Sequence, residues 1–236
     1  MARCFGPQFS PLGTWEQVDP AAVREQLRLA WIRWGLPGGF RVDNGWPWGS
    51  RGEFPTELSL WLIGLGVAMH WNNPRRPEEN GVVERSQGTS ARWCEPWTCQ
   101  SPEELQGRLE RMDRLYREVY PYRDRRSRLE VFPDLAHSGR RYDRASEATQ
   151  WQWSRVAEYL ATIVALRRVD QSGRVSVHSR NHYVGRLHQG KDIYVMYDPD
   201  HNDWVFTARD GRLLNRRPAD QLSPENVMSL NVTRRR

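Results

Sequence analysis

The sequence predicts an α/β fold: a mixed sheet with flanking helices, followed by a small all-β barrel. Helix-like and strand-like segments alternate from Pro20 to about Arg92, the order that lays helices against a sheet. Short strand candidates then recur between turn signals from about Arg174 to Asn215, the spacing of a small barrel. The stretch between them is polar, aromatic and rich in arginine. The expected organisation is a core over 1–138, a helical, arginine-rich connector over 139–170, and a barrel with a basic tail over 171–236.

The first element is a helix from Pro20 to Trp34. Asp19 is a suitable N-cap, Pro20 fits the first helical position and Gly35 is a natural stop. Val23, Leu27, Trp31 and Trp34 recur at helical spacing and are expected to face inward. A Leu-Pro-Gly-Gly turn leads to a strand, Phe40-Arg41-Val42, ending at Asp43-Asn44-Gly45. A helix at about Glu57 to Leu65 and a strand from Val67 to Trp71 follow. After a turn rich in Pro and Arg, a third helix is expected from about Glu78 to Arg92.

Ser101-Pro102-Glu103-Glu104 opens a further helix, with Ser101 as cap and Glu104 placed to close a capping box. Leu105, Leu109, Met112 and Leu115 form its expected buried stripe, and Arg108, Arg111 and Arg114 line other faces. Beyond the connector, strands are expected at about Arg174–His178, Ile193–Tyr197, Trp204–Ala208 and Arg212–Asn215. Asp198-Pro199-Asp200 and Arg209-Asp210-Gly211 mark turns between them.

Composition narrows the partners. The 236 residues carry a formal net charge of +6 and a pI near 9.6, which favours a polyanion. Lys191 is the only lysine, so the positive charge is almost all arginine, the residue that grips phosphate bidentately and stacks on bases. A GC-rich genome produces the same bias. Three cysteines with one C-x4-C pair, Cys94 and Cys99, make neither a zinc pattern nor a disulfide framework. The longest apolar run, Leu58 to Trp71, is too short and glycine-interrupted to cross a bilayer, and no signal-peptide core follows Met1. A cytoplasmic, nucleoid-associated bacterial protein with no membrane partner is the expectation.

Two carboxylates stand out by position. Asp43 ends a strand before a sharp turn, and Glu84 falls early in a helix within Asn80-Gly81-Val82-Val83-Glu84-Arg85. An acid at a strand end facing one on a neighbouring helix suits a hard divalent cation. Taken singly, Asp43 reads as a turn former and Glu84 as a solvated helix residue. His178, His182 and His188 suggest metal only weakly, because strand alternation is expected to scatter them.

The ordered set Arg41-Val42-Asp43-Asn44-Gly45, Pro47-Trp48-Gly49, Leu60-Trp61-Leu62-Ile63-Gly64-Leu65-Gly66, Pro74-Arg75-Arg76-Pro77 and Asn-Gly-x-x-Glu-Arg resembles part of the integrase catalytic core of D-D-E transposases. The likeness is to one branch of bacterial insertion-sequence transposases and covers about residues 15 to 215. It implies a partial ribonuclease-H-like core in which three carboxylates hold two Mg2+ (or Mn2+) ions for phosphoryl transfer on DNA. Carried over by motif, Asp43 is the second acid and Glu84 the third, with forty residues between them. Asn80, Gly81, Arg85 and Arg92 become DNA-contacting residues, Gly81 leaving room at the start of the helix. Arg85 serves equally well as a surface ion-pair partner.

The family's first acid lies several dozen residues before the Asp-Asn-Gly. Asp19 is the only aspartate that precedes Asp43, and it sits at a helix N-cap. The resemblance therefore implies an N-terminally truncated core, inactive alone for want of that aspartate. Tyr183-Val184-Gly185, Val195-Met196-Tyr197-Asp198-Pro199 and Trp204-Val205-Phe206 are similar to the small barrel that follows many transposase cores. The implied partners are transposon-end and target DNA, in a homo-oligomer or a mixed assembly with full-length transposase. The alternative function is a non-catalytic DNA-binding or assembly remnant that modulates such an enzyme.

Overall fold

The computed structural model describes residues 18–49, 54–73 and 81–232. They form a mixed α/β architecture that divides into two compact units, and the units interleave along the chain. A mixed unit comprises Asp19–Arg24, Gly39–Trp71 and Ala145–Arg236, and a helical unit takes in Glu25–Gly38 and Asn72–Arg144. The connector and the expected barrel segment, from Ala145 onward, thus share a unit with Asp43.

Helix α1 (Pro20–Trp34) has the expected bounds. Asp19 accepts hydrogen bonds from the Ala21 and Ala22 amides at 3.1 and 3.3 Å, satisfying two of the donors a helix start leaves open. Gly35 ends it at φ +76°, where a Cβ would stand 2.3 Å from Ser138 Oγ. Val23, Leu27 and Trp31 are buried, while Trp34 is only half-buried.

In the mixed unit, β1 (Gly39–Val42) and β2 (Ala68–Trp71) pair in parallel, Phe40 with Met69 and Val42 with Trp71. A parallel pair needs a crossover, and α2 (Glu57–Gly64) supplies it, capped by Thr56. All eight residues of α2 are buried, as expected for a helix apolar all round. It packs on β2, on α7 (Trp153–Ala161) and on α8 (Pro224–Met228). The short α6 (Glu147–Gln150) precedes α7.

The remaining strands are β3 (Ala165–Arg168), β4 (Arg174–Val177), β5 (Arg180–Tyr183), β6 (Asp192–Asp198), β7 (Asp203–Thr207) and β8 (Leu213–Pro218). They do not close into the expected barrel. An open antiparallel sheet runs β3-β6-β7-β8, and β4-β5 is a separate hairpin. The hairpin reaches β8 through side chains instead of a ladder: Asn215 Nδ2 and Arg217 Nε donate to the Tyr183 carbonyl at 3.0 and 3.3 Å. Ile193, Val195, Tyr197, Trp204 and Phe206 form the buried face of the sheet, whereas Tyr183 is exposed.

The helical unit contains α3 (Gly81–Cys94), α4 (Pro102–Glu118) and α5 (Arg128–Val131). α4 packs on α3 and α5. Two expectations for α4 need correction. Ser101 caps it, accepting from the Glu104 amide, but the Glu104 carboxylate reaches back to the Gln100 amide at 2.9 Å, one residue beyond a capping box. The apolar stripe is also shallow: Leu105, Leu109 and Met112 are half-buried and Leu115 is exposed. The buried α4 residue is Arg117, whose guanidinium lies over the Trp34 ring and donates to the Leu135 carbonyl.

Candidate functional site

Asp43 immediately follows Val42, so it stands at the C-terminal end of the parallel pair. Ligands gather beyond such ends in open α/β sheets. Its side chain is exposed, and Oδ1 accepts the Gly45 amide at 3.1 Å, the turn-forming role read from its neighbours. The following loop is fixed from several sides. Trp48 and Gly49 amides donate to the Gly45 carbonyl, Thr56 Oγ1 donates to the Pro47 carbonyl at 2.7 Å, and Trp71 Nε1 donates to the Trp48 carbonyl at 3.2 Å. A carboxylate offers about four lone-pair sites, so the turn bond leaves Asp43 able to accept more.

Glu84 lies in the first turn of α3 and is exposed, where the helix dipole favours a negative charge. Gly81 opens the helix, and nothing among the described residues stands within 4 Å of where its Cβ would be. Arg85 and Arg92 are exposed and, seven residues apart, share a helix face. Arg92 Nε donates to the Gly88 carbonyl at 3.2 Å. Asn80 and the Pro74–Pro77 turn lie outside the described residues, as do Met1 to Phe5 and the final three arginines.

Asp43 belongs to the mixed unit and Glu84 to the helical one. Among the described residues, no three His, Cys, Asp or Glu side chains gather into a group able to hold a metal. Cys94 and Cys99 are free thiols, Cys94 pushed up in pKa chiefly by burial.

The structure also assembles a cluster that strand alternation did not foretell. His178 and His182 both turn towards Trp204, ring centroids 5.8 and 6.5 Å away, and Phe54 packs on Trp204 at 4.7 Å. The two histidines are not scattered because Val177 pairs with Arg180, making His178-Ser179 a two-residue hairpin turn. Both turn residues have positive φ, 45° and 60°, the geometry such hairpins need. Burial, then Arg167 and His182, hold His178 down to a pKa of about 4. His182 is lowered for the same first reason. His178 Nε2, His182 Nε2 and Trp204 Nε1 are buried with no hydrogen-bond partner among the described residues.

No described helix is long and apolar enough to cross a membrane. No protein-family model matches the chain.

Proposed function

We propose that this chain is a DNA-recombination protein of the transposase and integrase type. The observation that carries the reading is the order of elements around Asp43 and Glu84. Asp43 immediately follows a strand, a helix crosses over to a parallel second strand, and Glu84 stands in the first turn of the next described helix. That is the arrangement the motif resemblance implies, with both acids exposed. Arg85 and Arg92 on the same helix would meet DNA phosphates.

The motif resemblance makes Asp43 and Glu84 each a candidate ligand of a Mg2+ or Mn2+ centre. When fully assembled with a third carboxylate, such a centre supplies electrostatic stabilisation of phosphoryl transfer. The exposure of both acids and the want of a three-acid group among the described residues favour a second reading. In it the chain binds DNA and joins, or poisons, an assembly of full-length transposase.

The test uses the purified chain with labelled DNA ends in magnesium or manganese. We expect DNA binding without 3′-end cleavage or strand transfer by the chain alone. Fusing to the chain a strand that carries a further aspartate should give cleavage that Asp43→Asn and Glu84→Gln each abolish. Cleavage that survives Asp43→Asn overturns the site, and an absence of DNA binding at low salt overturns the reading as a whole.

A further inference from the structure

Within the helical unit, aromatic rings that a soluble domain would bury are left at the surface among arginines. Trp93, at the end of α3, meets Tyr120 edge-on at 5.2 Å and Tyr116 at 6.1 Å. Tyr122 and Phe132 form a second pair at 5.8 Å. Trp93, Tyr120, Tyr122 and Phe132 are all exposed, each by more than two-fifths of its surface. Clustered apolar exposure of this kind marks a binding surface more often than chance.

One arginine joins the two groups of rings. The Arg128 guanidinium lies 3.5 Å from the centroid of Tyr116 and 4.8 Å from that of Tyr122. Between α4 and α5 the chain reverses in a tight turn, the Tyr122 amide bonding to the Arg126 carbonyl and the Arg126 amide to the Arg123 carbonyl, each at 2.8 Å. The two tip residues, Asp124 and Arg125, both take positive φ, 50° and 60°. A charged residue held in the left-handed region without glycine is a small strain that points to presentation. Arg123 stays over the Tyr122 ring, and the Arg125 side chain has no hydrogen-bond or ion-pair partner among the described residues. From Arg111 to Arg128 there are seven arginines against three acids, a local charge of +4.

Duplex DNA hides its base faces, so exposed rings gain nothing from it. An unpaired strand offers phosphates and base faces together, and aromatic platforms with arginines are suited to both. We propose that the Arg123–Arg126 turn and its flanking rings form a binding surface for single-stranded DNA, arginines holding phosphates while Tyr120, Tyr122 and Phe132 stack on bases. The inference rests on the nucleic-acid reading above and adds the kind of strand and the place where it binds. It is independent of metal and of Asp43.

The test is binding of the full 236-residue chain, in a metal chelator, to a labelled oligothymidylate of about sixteen nucleotides and to a duplex of equal length. The single strand should bind more tightly. Tyr120→Ala and Tyr122→Ala should each weaken it by about tenfold and leave duplex binding unchanged, and Tyr122→Phe should restore it. Arg123→Ala and Arg125→Ala should each lower the salt slope for the single strand by about 0.7. Photocrosslinking of the unaltered chain, which needs no variant to fold, should map between Trp93 and Phe132. Crosslinks confined to the mixed unit overturn the proposal, as does displacement by polyglutamate of equal charge, or a self-associated form in which these rings resist the oligonucleotide. Duplex binding that persists with no preference for the single strand removes this surface alone. Loss of all DNA binding removes the transposase reading with it.

Discussion

The Trp61 indole donates to the Glu147 carboxylate at 3.1 Å, with both side chains buried in the mixed unit. The bond joins α2 to the first residue of α6, 86 positions away. Replacing Glu147 by Leu leaves the buried indole N–H without its acceptor, a loss of about 1–3 kcal/mol. Glu147→Gln keeps an acceptor and should lose less than half as much. Chemical denaturation of the two variants measures the difference, and equal losses would show that the bond does not stabilise the fold.

Gly64 is a packing requirement. A Cβ there would stand 2.0 Å from Trp151 Nε1 and 2.3 Å from Cε2. Trp151 cannot swing away, because it is buried and its Nε1 donates to the Trp61 carbonyl at 3.1 Å. The Gly64 carbonyl in turn accepts from the Gln152 amide and from Arg155 Nη1, each at 3.0 Å. Gly64→Ala should destabilise by about 1–3 kcal/mol, the usual cost of overpacking, although alanine is the better helix former. A neutral or stabilising result in thermal melting contradicts the packing.

The local signals in the sequence were enough for much of this. Asp19, Pro20 and Gly35 marked α1 because capping depends on neighbours in the chain, and Asp43 declared its turn through Asn44-Gly45. What escaped depended on distant partners or on atypical residues. The β4–β5 hairpin turns on His178-Ser179, without the glycine or asparagine that announces such turns, so β5 went unseen. Leu115 fits a helical stripe, but Arg117 took the buried position by lying on Trp34. The strand spacing suggested closure, yet closure needs a ladder between hairpin and sheet, and no periodicity encodes one. Nor does any local pattern state whether two acids with forty residues between them converge.

The α1 cap offers a simple check on the helix itself. Asp19→Ala removes the acceptor of the Ala21 and Ala22 amides and a negative charge from the positive end of the dipole. A loss of about 1 kcal/mol is expected, and Asp19→Asn should recover most of it. Hydrogen exchange should quicken first in the opening turn. Exchange unchanged there while the whole chain melts lower would assign Asp19 another role.

The last prediction concerns acid. His178 is neutral in the fold down to a pKa of about 4, while in the unfolded chain it titrates near 6.5. Between those values the unfolded state binds the extra proton, so stability rises with pH across that window. The contribution is complete above about pH 6.5, shrinks as pH falls, and is gone by about pH 4. It amounts to at most about 3 kcal/mol, at roughly 1.4 per pH unit. His182 is shifted in the same direction and adds to the same side. Asp198 acts separately. Its hydrogen bond from Arg216, with burial opposing and His201 assisting, holds its pKa to about 2, so its stabilisation is lost only as pH drops from about 4 towards 2. The two windows can be told apart by following unfolding free energy against pH. His178→Asn suits the left-handed backbone at that position and should flatten the curve between pH 6.5 and 4, leaving the lower limb intact. Asp198→Asn should do the converse. If both limbs persist unchanged in the variant that lacks His178 and His182, the enclosed histidines are not what makes the fold sensitive to acid.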